Sequence, residues 1–219
     1  MDRLFDLQGE FWVAALETLY MVGLTLLFGG LAGLLLGVTL YTTRPGSLLS
    51  NRVVYNVVNV VINFFRPIPF IIFIAAVQPL SRLVIGTGIG NNALIFALSL
   101  AASFAIARIV EQNLLTVSPG VIEAARSMGA GPVRILVTVV IPEALGPLIL
   151  GYTFVLIAIV DMTAVAGFIG GGGLGNFALV YGYRQFEPVV TWAAVLLIVV
   201  FVQAVQFLGN WLARKVLRR

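Results

Sequence analysis

Apolar residues run almost without interruption through five stretches of the chain, near residues 11–41, 54–80, 92–115, 143–168 and 188–212. Each run lasts about 20 residues or more and lacks period-2 alternation, the pattern of an α-helix crossing a hydrocarbon core of about 30 Å. Lipid offers the backbone no hydrogen-bond partner, so spanning segments must satisfy their own N–H and C=O groups. The pattern therefore predicts an all-α, multi-pass transmembrane helical bundle of about five spans, a single domain over residues 1–219. The first run is long enough to tilt or to project beyond the bilayer. The second is broken by Pro67 and Pro69, and the fourth ends in the run GGGG at 170–173.

One stretch departs from this pattern. Between the third and fourth runs, residues 116–142 carry "EAARSMGAGPVRILVTVVIP" from Glu123 to Pro142. Ser118-Pro119 reads as a helix start, with serine as cap and proline at the first helical position. Gly129 and Gly131 stand where a helix stops, since glycine accepts the left-handed conformation found there. The helix between them has about ten residues, on the order of 15 Å, and cannot span a bilayer. Val121, Ile122, Ala125 and Met128 form an apolar stripe flanked by Glu123 and Arg126. Such a helix has three fates: lying among lipid headgroups, packing beneath its own bundle, or inserting into a partner's groove, where the small Ala124 and Ala125 permit close approach. Pattern alone does not separate them.

Composition sharpens the picture. Of 219 residues, 60% are hydrophobic and only 10% charged, with a mean hydropathy of +1.07, whereas soluble domains keep roughly a quarter charged. With no cysteine and no histidine, disulfides, thiolate or imidazole catalysis and nearly all zinc, haem and iron–sulfur sites are excluded. No catalytic residue, metal or cofactor is expected, and the absence of GxxxxGK[ST] leaves no phosphate-binding loop for ATP.

The net charge of +4 is small and unevenly placed, which speaks for membrane orientation and against nucleic acid. Eight basic residues (Arg44, Arg52, Arg126, Arg134, Arg214, Lys215, Arg218 and Arg219) fall on one side and three (Arg3, Arg82 and Arg184) on the other. The positive-inside rule then puts the amino terminus outside, the carboxyl terminus in the cytoplasm and the short helix on the cytoplasmic side. Trp12, Tyr181, Tyr183 and Trp192 gather at the outer boundary, with Tyr41 and Trp211 at the inner one. The opening MDRLFDLQGE is too acidic for a secretory signal, and no cleaved segment is expected.

Glu123-Ala124-Ala125, Gly129 and Val139-Val140-Ile141-Pro142 together resemble the EAA-x3-G-x9-I-x-L-P signature of ABC importer permeases. "YTTRPG" at 41–46, "NFFRPIPFII" at 63–72, "IGTGIG" at 85–90, "PEALGPL" at 142–148, "GGGGLGN" at 170–176 and "YGY" at 181–183 extend the likeness to the methionine-type permeases over nearly the whole chain. That resemblance implies a cell (inner) membrane subunit that pairs with a second copy of itself to form the pore. It implies two cytoplasmic ATP-binding subunits seated on the helix around Glu123, Ala124, Ala125 and Gly129, with Pro142 closing the motif. An extracytoplasmic solute-binding protein would deliver methionine or a related amino acid.

Three further residues are candidates for the solute pathway. Asp161 falls inside the fourth run, where an acid is costly and usually functional. It either faces the path and attracts a substrate ammonium, or pairs with a threonine such as Thr163 or Thr153, or with an arginine. Met162 beside it shares the candidacy. Arg66 either braces the break at Pro67 and Pro69 or contacts substrate. Arg108 and Glu111, three apart, are expected to pair. The glycine run at 170–173 lacks a lysine and reads as a tight, mobile turn near an outer gate, and Gly29, Gly33 and Gly37 read as a close-packing surface.

Permeases for a polar amino acid or a quaternary amine share these features. An ion-gradient-driven secondary transporter would require paired broken helices in two repeated halves. No internal repeat is evident, and Asp161 stands as the one acid well inside a span.

Overall fold

A computed structural model describes residues 2–167 and 169–217, apart from the side chains of Asp2 and Leu4. Phe168, at the end of the fourth apolar run, and Arg218 and Arg219, which enter the charge asymmetry, lie outside the described residues. Among the described residues the regular elements are all helical, and they include α1 (Asp2–Asp6), α2 (Gln8–Thr43), α3 (Arg52–Phe65), α4 (Phe70–Ile85), α5 (Asn91–Leu114), α6 (Pro119–Ser127), α7 (Pro132–Ile135), α8 (Ile141–Glu143), α9 (Leu145–Gly167), α10 (Gly173–Phe177) and α11 (Pro188–Leu217). Four of these, α2, α5, α9 and α11, are long and apolar enough to cross a membrane; α3 and α4 reach that length only as a pair, bent by 116° at their break, as a broken span or a re-entrant loop does.

The bend has a local cause. Pro67 and Pro69 have no N–H to continue the ladder, and the chain turns between Arg66 and Pro69 with Ile68 N–H reaching the Phe65 carbonyl. Asn51 restarts order on the other side of α3: its Oδ1 accepts from the Val53 and Val54 amides as an N-cap. A comparable disturbance surrounds Pro142, which follows a wide π-helical turn at Leu136–Val140. A proline ring cannot tolerate the carbonyl four residues earlier, and widening the turn relieves that clash.

Helices α2 and α5 form the spine. A Cβ on Gly33 would stand 2.6 Å from Ile106 Cβ, and one on Gly37 2.6 Å from the Ala107 carbonyl oxygen, so both positions admit only hydrogen. The spacing of glycines read from the sequence is thus a contact surface, with Gly29 meeting Ser99 in the same row. Helix α9 packs beside α5, and the Tyr152 hydroxyl donates to the Gly30 carbonyl across α2. The main core runs through Val22, Ile106, Val110, Leu114, Ile135, Val140 and Ile159. A second core joins α4 to α5 and the end of α9, and a third joins the start of α2 to α10 and α11.

Candidate functional site

The short segment between α5 and α9 packs against the bundle, with Val117, Ala125, Ile135 and Val140 buried in its main core. Pro119 starts α6, although the Ser118 hydroxyl makes no capping bond. At the far end Gly129 takes φ +79°, its N–H bonds the Arg126 carbonyl (2.9 Å), and Ala130 N–H bonds the Ala125 carbonyl (3.1 Å). This is the paired-bond glycine stop of a helix, and the left-handed residue is what only glycine adopts without strain. The sequence-derived start and stop are both where the chain places them.

The apolar stripe, however, is divided. Ala125 is 4% exposed and joins the bundle's own core with Ile122 beside it, while Met128 is 82% exposed. Ala125 therefore faces inward in this chain, while its neighbour Ala124 is exposed. Its methyl seats α6 on the bundle, next to Ile135 and Val140 of the following turns. The exposed residues of this segment include Val121, Glu123, Ala124, Arg126, Ser127 and Met128. Pro142 is exposed within α8. A cavity of about 320 Å³ separates α6 from the loop after α2, lined by Tyr41, Arg44, Leu115, Glu123 and Arg126.

At the opposite end of the bundle lies the glycine run, and it is not a loose turn. The Glu17 carboxylate of α2 accepts from Gly173 N–H (2.7 Å) and from the Asn91 side-chain amide (3.2 Å). Asn91 Oδ1 accepts from Gly172 N–H (2.8 Å), and the Thr18 hydroxyl accepts from Leu174 N–H (2.8 Å). Three backbone amides at the start of α10 are thereby held by side chains of α2 and α5. Gly173, at φ +88°, and Gly172, whose missing Cβ would collide with the Glu17 carboxylate, make room for the clamp. Sequence reasoning missed Glu17, although an acid inside a long apolar run was itself a signal.

Among the membrane-depth candidates, Asp161 is exposed and makes no hydrogen bond or ion pair among the described residues. The threonines named as its partners are otherwise engaged: Thr163 donates to the Val160 carbonyl (2.7 Å) and Thr153 to the Ile149 carbonyl (2.8 Å). Met162 is half-buried against the α4 core around Phe73 and Ile74. Arg66 is exposed, and its guanidinium makes no hydrogen bond among the described residues, so the break is closed by backbone turns and not by this arginine. Arg108 does pair with Glu111 (2.5 Å) and also donates to Asn59 (2.8 Å) and Asn63 (2.7 Å) of α3. Glu111 is 4% exposed; with Glu17, it means Asp161 is not the sole acid placed within the helices. The structure brings Met162 to the core shared with α4, whereas Asp161 beside it is exposed.

The family model for the binding-protein-dependent transport system inner membrane component matches residues 29–218. This chain belongs to that family. Probable D-methionine transport system permease protein MetI of Pasteurella multocida is 40% identical over 213 residues, 97% of each chain. Methionine import system permease protein MetP of Bacillus subtilis is 42% identical over 201 residues, 92% of this chain and 90% of its own length. The corresponding MetI protein of Vibrio cholerae is 38% identical over 203 residues, covering 93% and 90%. A solved structure of the MetNI methionine ABC transporter in inward facing conformations superposes with a TM-score of 0.92 at 39% identity, covering 96% of this chain and 98% of that one. An amino acid ABC transporter, 22% identical with a TM-score of 0.81, shares the fold of this inner membrane component.

Proposed function

We propose that this chain is the membrane-spanning subunit of an ATP-driven importer that carries methionine into the cytoplasm. The observation that carries this reading is the combination of 38–42% identity to methionine permeases of three organisms with near-complete coverage of both chains. The chain is a transport subunit and not an enzyme, and the energy must enter through a mechanical joint.

Helix α6 is suited to be that joint. It is held to the bundle by Ala125 and Ile122 and ended by Gly129, while Ala124 and Met128 are exposed. Two cytoplasmic ATP-binding subunits, drawn together by ATP, would each carry a seated α6 and rotate the paired bundles between inward-facing and outward-facing states. Such a rigid-body switch needs only that ATP and its products favour different states. The eight-to-three bias of basic residues supports placing α6 and the carboxyl terminus in the cytoplasm and the amino terminus outside. An external solute-binding protein would deliver substrate above the glycine run. The test is uptake of labelled methionine by proteoliposomes holding this chain with its ATP-binding subunits and binding protein. ATP-dependent accumulation supports the reading, and solute entry without ATP refutes it.

A second reading has its own observation. Asp161 is an exposed carboxylate with no partner among the described residues, and a substrate ammonium or quaternary amine would neutralise it. Asp161→Asn should then weaken uptake of the cationic or zwitterionic solute about tenfold, roughly the 1.4 kcal/mol of one partly screened ion pair. Unchanged uptake by that variant would make Asp161 a residue of no consequence for the solute.

A further inference from the structure

A groove runs between α2 and α5 on the side of the bundle where α4 ends. Leu24, Phe28 and Ala32 recur at every fourth residue along its α2 wall. Phe96, Ser99 and Ser103 line the α5 wall, and Asn92 stands at the mouth beside Ile85, the last residue of α4. The mouth lies at the end of the bundle that holds the glycine run, where the neighbouring Asn91 binds Gly172. One turn past Ala32 the groove closes, because Val58 and Ile62 of α3 cover Leu36 and Leu40. From Asn92 to Ser103 the α5 wall rises about 16 Å. That is half of a hydrocarbon core of about 30 Å, the depth of one leaflet.

The surroundings of the groove point to lipid. Phe28, Leu31 and Leu35 share this face of α2, apolar and exposed. Ser103 spends its hydroxyl on the Leu100 carbonyl, and the Ser99 hydroxyl is enclosed in the wall, so the groove presents hydrocarbon. Ser99 and Arg108 are nine residues apart on α5, half a turn round the helix at about 100° per residue. The groove thus faces away from the polar contacts of Arg108 with Asn59, Asn63 and Glu111. Its volume is about 520 Å³. Spread over about 16 Å, this gives a mean cross-section of about 30 Å², and a helix about 10 Å across needs more than twice that. One extended hydrocarbon chain fits where a helix of a second copy does not. At the mouth, Arg82 lies one turn before Ile85 on the same face of α4. It is exposed, makes no hydrogen bond or ion pair among the described residues, and reaches over the α4–α5 turn, its Nε 2.7 Å from where a Cβ on Gly88 would stand. A guanidinium presents a fork of donors that matches a phosphate.

We propose that this groove is a resident phospholipid site: one acyl chain of the leaflet at the glycine-run end fills it, and Arg82 holds the phosphate. Moving a chain from neighbouring lipid into the groove gains no hydrophobic energy, since both surroundings are hydrocarbon. The gain is dispersion, because an unfilled groove leaves its walls without contact atoms, together with a charge-assisted contact at Arg82. The site is independent of which solute the complex carries.

The test uses the complex with its ATP-binding subunits, reconstituted in vesicles of phosphatidylethanolamine and phosphatidylglycerol that include a phosphatidylglycerol with a mid-chain diazirine. The complex is extracted into detergent, washed to strip loosely held lipid, irradiated, and mapped by peptide mass spectrometry. Adducts on peptides covering 24–32 and 92–103 should exceed about tenfold those on the part of α11 where Leu196, Val200 and Phe207 are exposed. Equal labelling, or none in the groove, overturns the site. Ala32→Trp fills the groove and should abolish the excess; an unchanged excess overturns it. If that variant fails to assemble, the comparison of peptides in the native complex still decides. Arg82→Ala should lower the retained adduct about fivefold, and an unchanged yield refutes the phosphate contact. Phe28→Cys reports on the rival occupant in a chain with no native cysteine. A spontaneous disulfide between two copies of that variant would make the groove a subunit contact and overturn the proposal.

Discussion

Replacing Glu17 by alanine should release the start of α10. In the native chain its carboxylate accepts from Gly173 N–H at 2.7 Å and from Asn91 at 3.2 Å, and Asn91 in turn holds Gly172 N–H at 2.8 Å. Hydrogen bonds to a charged group contribute about 1.5–3 kcal/mol each. Glu17 is only half-buried, and water replaces part of what is lost, so a net effect of about 2 kcal/mol is expected for Glu17→Ala. Glu17→Gln keeps an acceptor of the same shape and should lose about half as much. These energies belong to local opening of the glycine run and not to global unfolding. At about 1.4 kcal/mol per decade, amides in the peptide covering residues 170–176 should exchange about 30-fold faster in Glu17→Ala, and about 5-fold faster in Glu17→Gln. Deuterium uptake by the detergent-solubilised complex reads both. Peptides from α5 away from Asn91 serve as the internal reference. Unchanged exchange at 170–176 in Glu17→Ala would refute the clamp and return the run to a loosely held turn.

The glycine row on α2 offers a paired comparison: Gly33→Ala must displace Ile106 or the Ser103 carbonyl and should destabilise the complex by about 1–3 kcal/mol in thermal unfolding. Gly23→Ala, with open space around it, should be neutral or stabilising, and equal effects would undo the packing argument. Gly129→Val places a β-branched residue at φ +79° and should distort the end of α6, leaving membrane insertion intact while ATP hydrolysis no longer drives uptake. Normal uptake at normal protein level would count against α6 as a joint. Arg108→Leu strands the buried Glu111 carboxylate and should cost about 3 kcal/mol of stability. The double variant Arg108→Leu, Glu111→Leu should recover much of that, and a double variant no better than the single one would contradict the pairing.

Much of the architecture was legible because its causes are local. Twenty-residue apolar runs specify spanning helices wherever lipid is the solvent. Pro67 and Pro69 remove donors whatever their surroundings, and Gly129 accepts the left-handed turn that other residues resist. Arg108 and Glu111 were readable for a similar reason, being three apart on one helix. The direction of Ala125 was not: its stripe included exposed Met128, and only the shape of the bundle beneath α6 chose which edge to bury.

What the sequence alone determined, then, is the set of helices, their breaks, and the stub that cannot cross the bilayer. Tertiary structure alone decided that Glu17 clamps Gly173, 156 residues away, and that Asn59 and Asn63 of α3 accept from Arg108 on α5. The physical reason is range. Hydropathy and backbone sterics act within a few residues, whereas a carboxylate finds its amide partners only after separate helices have packed and excluded the alternatives.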